Sequence, residues 1–130
     1  MKSRIANTKL LLSSLLILSY AMATAQPSQK EVLDEDKKVL DVLNTNKSNG
    51  LELAISNFNS VSDQANLSTK AKVTATLSRA YELNANFVRA LEYRLKAIDM
   101  YEQLGNKREL MISYNAWEEF FITLAILIKP

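Results

Sequence analysis

Asp34, Glu35 and Asp36 are the first residues along the chain that could do chemistry, as carboxylate ligands to a hard cation. Consecutive residues on a helix point to different faces, and Lys37 and Lys38 follow at once. The run therefore reads as a solvated face. Arg79, Arg89, Arg94 and Lys96 could gather into a basic patch for an acidic peptide. Glu82, Glu92 and Asp99 are interleaved with them, so the favoured reading is the wet side of a helical pair. Asn46-Lys47-Ser48 and Asn66-Leu67-Ser68 match the glycosylation acceptor pattern, which is short enough to recur by chance. Tyr81, Tyr93, Tyr101 and Tyr114 read as core or groove residues, not as a platform for stacked bases.

Composition narrows the field further. With no Cys and no His, the chain has no disulfide, no zinc or iron–sulfur site of the usual ligands, no thiol nucleophile and no His-based triad. Two Gly and two Pro leave little for a turn-rich β fold or a phosphate-cradling loop. The 16 Lys and Arg exceed the 14 Asp and Glu by 2, and Lys2, Arg4 and Lys9 account for that excess. Without those three, 13 basic residues face 14 acidic ones, which is no electrostatic footprint for nucleic acid. The expectation is a small all-α protein that is not an enzyme and takes no cofactor or metal.

Residues 1–25 have the three parts of a secretory signal peptide. A basic start precedes the apolar run from Leu10 to Leu18, and Ala23-Thr24-Ala25 offers the small-x-small pattern for cleavage before Gln26. The competing reading is an uncleaved anchor. The apolar stretch over 10–22 is 13 residues and includes Ser13, Ser14 and Ser19, whereas a span needs about 20. No Cys follows it, which excludes a lipid-anchored lipoprotein. Export to the periplasm is expected, or else attachment to the inner membrane facing the periplasm.

Apolar spacing places the helices of the remaining 105 residues, 26–130. Val32, Leu33, Val39, Leu40, Val42 and Leu43 predict a helix over 31–43. The Asn-, Ser- and Gly-containing run 44–50 is the clearest breaker. A second helix is expected over 51–61, with Leu51, Ala54, Ile55 and Phe58 on one face, followed by a polar loop over 62–69. Val73, Leu77, Ala80 and Tyr81 mark a helix over 70–83, and Asn84-Ala85-Asn86 is a short connection. Phe87, Ala90, Leu91, Leu95, Ile98 and Tyr101 form a continuous stripe over 87–104, ended by Gly105-Asn106. The last two helices form an antiparallel hairpin.

The chain is also similar to itself at an offset of 40 residues. Leu51-Glu52 matches Leu91-Glu92, Ile55 matches Leu95, Phe58 matches Ile98, Val61 matches Tyr101 and Asn66 matches Asn106. The later copy, with Leu77, Ser78, Tyr81, Phe87, Ala90 and Ala97, resembles a tetratricopeptide repeat in its 40-residue variant. The resemblance is close over 77–114 and weak over 31–66; Arg94 departs from it where an aromatic is common. It implies an α-solenoid: a degenerate hairpin over 26–69, one clear repeat over 70–106 and the start of a further repeat over 107–130. Leu77, Tyr81, Phe87, Ala90, Leu91, Ala97 and Ile98 are its repeat-defining core. Such repeats are familiar from the exported N-terminal regions of Bacteroidetes-type sensor histidine kinases and nucleotide cyclases.

Beyond Asn115 the family would continue with a Leu-Gly pair, whereas residues 116–130 form an apolar tail without a helical stripe. Suitable codons for this tail, read two bases later, encode Leu-Gly-Arg-Ile-Phe-Tyr-Asn-Leu-Gly-Asn-Phe-Asp-Lys-Ala, which opens a good further repeat. The expectation is a frameshifted tail on the front of a longer protein. The competing reading is a native final helix in which Trp117, Phe120, Phe121 and Leu124 cap the stack, with Glu118 and Glu119 on the wet side.

Function is expected to be protein–protein interaction, with a protein or peptide lying along a groove at Lys70, Thr74, Ser78 and Tyr81. One alternative is the sensory fragment of a membrane-bound histidine kinase or nucleotide cyclase, the parent protein lying across the membrane. Another is a small native periplasmic helical protein.

Overall fold

The computed structural model describes residues 4, 7–14, 26–61, 63 and 65–129. Residues 7–14 are helical and exposed. The cleavage triplet Ala23-Thr24-Ala25 lies outside the described residues. From Gln26 onward the described chain is all-helical: α1 (Gln29–Thr45), α2 (Lys47–Ser60), α3 (Leu67–Leu83), α4 (Phe87–Gln103) and α5 (Lys107–Ile128).

Helix α1 starts at a capping box. Ser28 Oγ accepts from Glu31 N at 3.3 Å and Glu31 Oε2 accepts from Ser28 N at 2.7 Å, so two orphan amides of the first turn are satisfied. Every later helix starts on asparagine. Asn46, Asn66, Asn86 and Asn106, each 20 residues after the last, accept through Oδ1 from the backbone N–H three residues on, at 3.1, 2.8, 3.3 and 3.3 Å. The two Asn-x-Ser patterns at 46 and 66 are thus helix starts, with their side chains engaged by their own backbone.

The 20-residue interval also governs two of the turns. Ala85 and Gly105 take left-handed φ values of 59° and 62°. The next amides, Asn86 N and Asn106 N, donate back to Tyr81 O and Tyr101 O at 2.9 and 3.0 Å. These are the same helix-ending turn built twice. The expected connection at 84–86 and the stop at Gly105-Asn106 are both present.

The run 44–50 is not the loop expected of it. Only Asn46 separates α1 from α2, and Lys47, Ser48, Asn49 and Gly50 already form the first turn of α2. Gly50 serves close packing: a Cβ there would stand 2.6 Å from Leu43 Cδ2 and 2.8 Å from Leu43 Cα. Gly50→Ala should therefore destabilise the chain by about 2 kcal/mol, since overpacking against backbone outweighs the roughly 1 kcal/mol that Ala gains in a helix. Urea unfolding of the variant checks this, and an unchanged or raised midpoint would contradict the close approach.

Helix α3 lies at the centre, packed against α1, α2 and α4. Val39, Leu43, Ala54, Leu77 and Ala80 form one buried cluster, and Ala71, Ala97 and Tyr101 form a second. Small residues at these crossings let the backbones approach. Of the positions expected to define the repeat, Leu77, Ala90, Ala97 and Ile98 are buried, and Tyr81, Phe87 and Leu91 half-buried. Leu95 departs from its expected stripe and is exposed, because Arg94 takes the inward position next to it.

The tail is helical: residues 116–128 continue α5 without interruption, and Phe120 is the one fully buried residue of that helix. Leu110 anchors α5 beside Tyr101, and Phe120 packs edge-on against Phe87, the first residue of α4, at 5.6 Å. At about 1.5 Å per residue, the 22 residues of α5 outreach the 17 of α4, and Phe121, Ile122, Ile126, Leu127 and Ile128 are exposed.

Candidate functional site

Helix α3 supplies all four residues expected to meet a partner, and the structure separates them. Lys70 is half-buried and its Nζ donates to Asp63 O at 2.6 Å. Thr74 and Ser78 are each 1% exposed and donate to Lys70 O at 2.7 Å and to Ala90 O at 2.8 Å. Tyr81 stacks on Tyr93 with ring centroids 5.6 Å apart, and Tyr93 meets Phe58 edge-on at 5.3 Å. The Ser78 hydroxyl is engaged by α4, and the Thr74 hydroxyl by its own helix, so neither is free for a partner. Lys70 and Thr74 do share one groove of about 320 Å³, walled by Phe58, Val61, Val73 and Met100. Phe58, Val61 and Met100 lie far from Lys70 in sequence, and helical periodicity along α3 alone could not have found them.

The expected set of basic residues does not form one patch. Arg89 and Lys96 both pair with Glu92 on the outer side of α4, at 3.0 and 2.8 Å. Asp99 accepts from Gln103 instead of a cation. Arg94 is different. It is 8% exposed and its Nη2 pairs with Glu82, which also lies 3.6 Å from Arg79. Arg94 Nε approaches Ser78 Oγ at 3.5 Å, and the guanidinium stands 5.8 Å from the Phe120 ring centroid. Its Nη1 has no hydrogen-bond partner among the described residues. The aromatic that the repeat resemblance leads one to expect here is replaced by a buried charge.

The acidic run also breaks up. Asp34 is exposed and Glu35 pairs with Lys38 at 2.8 Å, but Asp36 is buried against α2 and α3. Its Oδ2 accepts from Thr76 Oγ1 at 2.9 Å, a contact between residues 40 apart. Burial raises its pKa to about 6, against the opposing pull of hydrogen bonds from Thr76 and Asn57 and the charge of Lys72. Spacing within α1 could not reveal this, since the partner lies on another helix. Among the described residues no group of three or more His, Cys, Asp or Glu could hold a metal ion.

A second concavity, about 610 Å³ and largely apolar, runs between α4 and α5 along Leu95, Ile98, Tyr114, Trp117, Phe121 and Ile122. By length and composition α5 could cross a membrane. Glu118 and Glu119 at its middle oppose that, because a carboxylate at the bilayer centre costs about 3 kcal/mol.

No family model matches the chain, and no curated protein or solved structure matches it. The fold itself defines the class: an all-α protein of successive helix–turn–helix units.

Proposed function

We propose that the chain is an exported interaction module of the tetratricopeptide type, with no catalytic activity of its own, that binds a protein or peptide partner. The observation that carries this reading is the 20-residue unit, in which asparagine caps recur four times and the same left-handed turn recurs at Ala85 and Gly105. A chain built of equal helix units stabilises itself through neighbours and offers extended grooves to a partner. The groove at Lys70, between Phe58 and Met100, is the partner surface in this reading. Its walls are largely apolar and its rim carries Lys70 and Asp63, which suits a peptide segment more than a small reactant.

The test is photo-crosslinking in the native cell, with benzoylphenylalanine at Asn59 on this groove or at Lys37 on the exposed side of α1. A discrete crosslinked protein from position 59, absent from position 37, is expected in the cell envelope. Equal products from both positions, or none from either, would contradict the reading.

A membrane-bound sensory protein is the second reading, favoured by the length and apolarity of α5. Carbonate extraction separates the two, since only a spanning chain stays with the membrane.

A further inference from the structure

Helix α5 carries a stripe that the tail alone is too short to show. With residues 107–115 and 116–128 on one helix, Leu110, Tyr114, Trp117, Phe121, Leu124 and Ile128 follow one another at spacings of four, three, four, three and four. This is the 3.5-residue repeat by which one helix seats along another. The seam is only partly filled from within. Helix α4 meets α5 through Phe87 on Phe120, to one side of the stripe. Leu110, Trp117 and Leu124 are half-buried, whereas Tyr114, Phe121 and Ile128 are exposed. The apolar concavity of about 610 Å³ along Leu95, Ile98, Tyr114, Trp117 and Phe121 lies open beside them.

We propose that this seam is filled by α5 of a second copy of the chain, running antiparallel. The spacing reads the same from either end. A two-fold axis level with Glu119 therefore sets Leu110 against Ile128, Tyr114 against Leu124 and Trp117 against Phe121 of the other copy. A two-fold interface has to be self-complementary in this way. The positions flanking the seam are Met111, Ser113, Phe120, Ala125 and Leu127, with Glu118 the one charge among them. A border so poor in charge suits an apolar helix, while Glu118 and Glu119 in mid-helix oppose a bilayer as the occupant. Because α5 outreaches α4, the free end of one copy lies along the open groove of the other. At roughly 100 Å² for each half-exposed large side chain, Leu95, Met111, Tyr114, Phe121, Ile122 and Ile128 offer about 600 Å² per copy, and two copies reach about 1,200 Å², the lower end of stable interfaces. A pair of this size parts reversibly, so amides beyond Phe120 exchange through the monomer and stay less protected than those of α3.

The test is sedimentation equilibrium of the full chain, with Trp117, its only tryptophan, as a fluorescence reporter of the seam. A monomer–dimer equilibrium in the micromolar range is expected, with the emission moving to the red on dilution. Phe121→Glu puts a charge into the seam twice per dimer and should weaken association about a thousandfold, whereas Ile126→Glu, on the far side of the same helix, should change it by less than about twofold. Both sites are exposed, so neither variant should alter the circular dichroism spectrum. The absence of cysteine allows the orientation to be read. An oxidised mixture of Tyr114→Cys and Leu124→Cys chains should yield the mixed disulfide, and neither variant alone should crosslink. A chain that stays monomeric, or that leaves solution only for phosphatidylglycerol vesicles, would overturn the proposal. So would association that Ile126→Glu weakens as much as Phe121→Glu, or disulfides formed by either cysteine variant alone.

Discussion

Glu82→Gln should lower the free energy of unfolding by about 3 kcal/mol at pH 7, the scale on which breaking a buried ion pair from one side destabilises a fold. The loss comes from the partner left behind. Arg79 is half-exposed and can turn to water, but Arg94 is 8% exposed and wedged between Ser78 and Phe120. Its charge would then stand in the interior without a counter-ion. Replacing both members, Glu82→Gln with Arg94→Phe, should recover most of the loss, because an apolar ring at 94 needs no counter-charge and can pack on Phe120. By contrast, Glu92→Gln touches only the exposed pairs with Arg89 and Lys96 and should change stability by less than about 0.5 kcal/mol. Urea unfolding of the wild type, both single variants at 82 and 94, and the double variant gives the coupling directly. A cost at Glu82 no larger than that at Glu92 would show that the buried pair carries nothing.

Asp36→Asn should stabilise the protein at pH 7 by about 2–3 kcal/mol. The ordinary carboxylate value of 3.8 is raised to about 6 in the fold, so the native state favours the protonated acid. At 1.36 kcal/mol per unit, a displacement of roughly two units sets the size of the effect. Its sign follows from linkage: the contribution is fully present below pH ~4, declines as pH rises through ~6, and is flat above. The groups facing Asp36 are Thr76 and Lys72 from α3 and Asn57 from α2. From α4 comes Tyr101, whose phenol is pushed up to about 12 by burial, with smaller contributions from Glu109 and Asp36. An amide at position 36 keeps an acceptor for Thr76 and removes the charge that burial disfavours. Chemical denaturation across pH 3–8 should show the decline in the wild type and its absence in the variant. A wild-type stability that rises between pH 4 and 6 on account of this residue would contradict the assignment.

Both effects sit at residues whose burial could not be read along the chain, and the reason is physical. The hairpin of α3 and α4 is legible because apolar periodicity, turn residues and the left-handed Gly105 are local signals. Charge at Asp36 and Arg94 is a local signal for solvent, and only contacts with Thr76, 40 residues away, and Glu82, 12 residues away, override it. Gly50 misleads for a related reason. Glycine marks both a break and a close approach, and its meaning here depends on Leu43 lying against it. The asparagine interval was open to inspection throughout, but only the 66 and 106 pair stands out from apolar matching. The caps at 46 and 86 become equivalent once their backbone partners are known. Of the candidate binding residues, Lys70 and Thr74, one turn of α3 apart, line a common groove, while Ser78 and Tyr81 face the inside of the hairpin.

The claim that equal 20-residue helix units build this chain is tested most directly by native-state amide hydrogen exchange on the full-length protein. The account predicts that Asn86 and Asn106, donors in the two equivalent turns, are protected to a similar degree. It also predicts the greatest protection in central α3 and the least in α5 beyond Phe120, where Phe121, Ile122, Ile126, Leu127 and Ile128 are exposed. Fast exchange at both asparagines, or a C-terminal half of α5 as protected as α3, would contradict it.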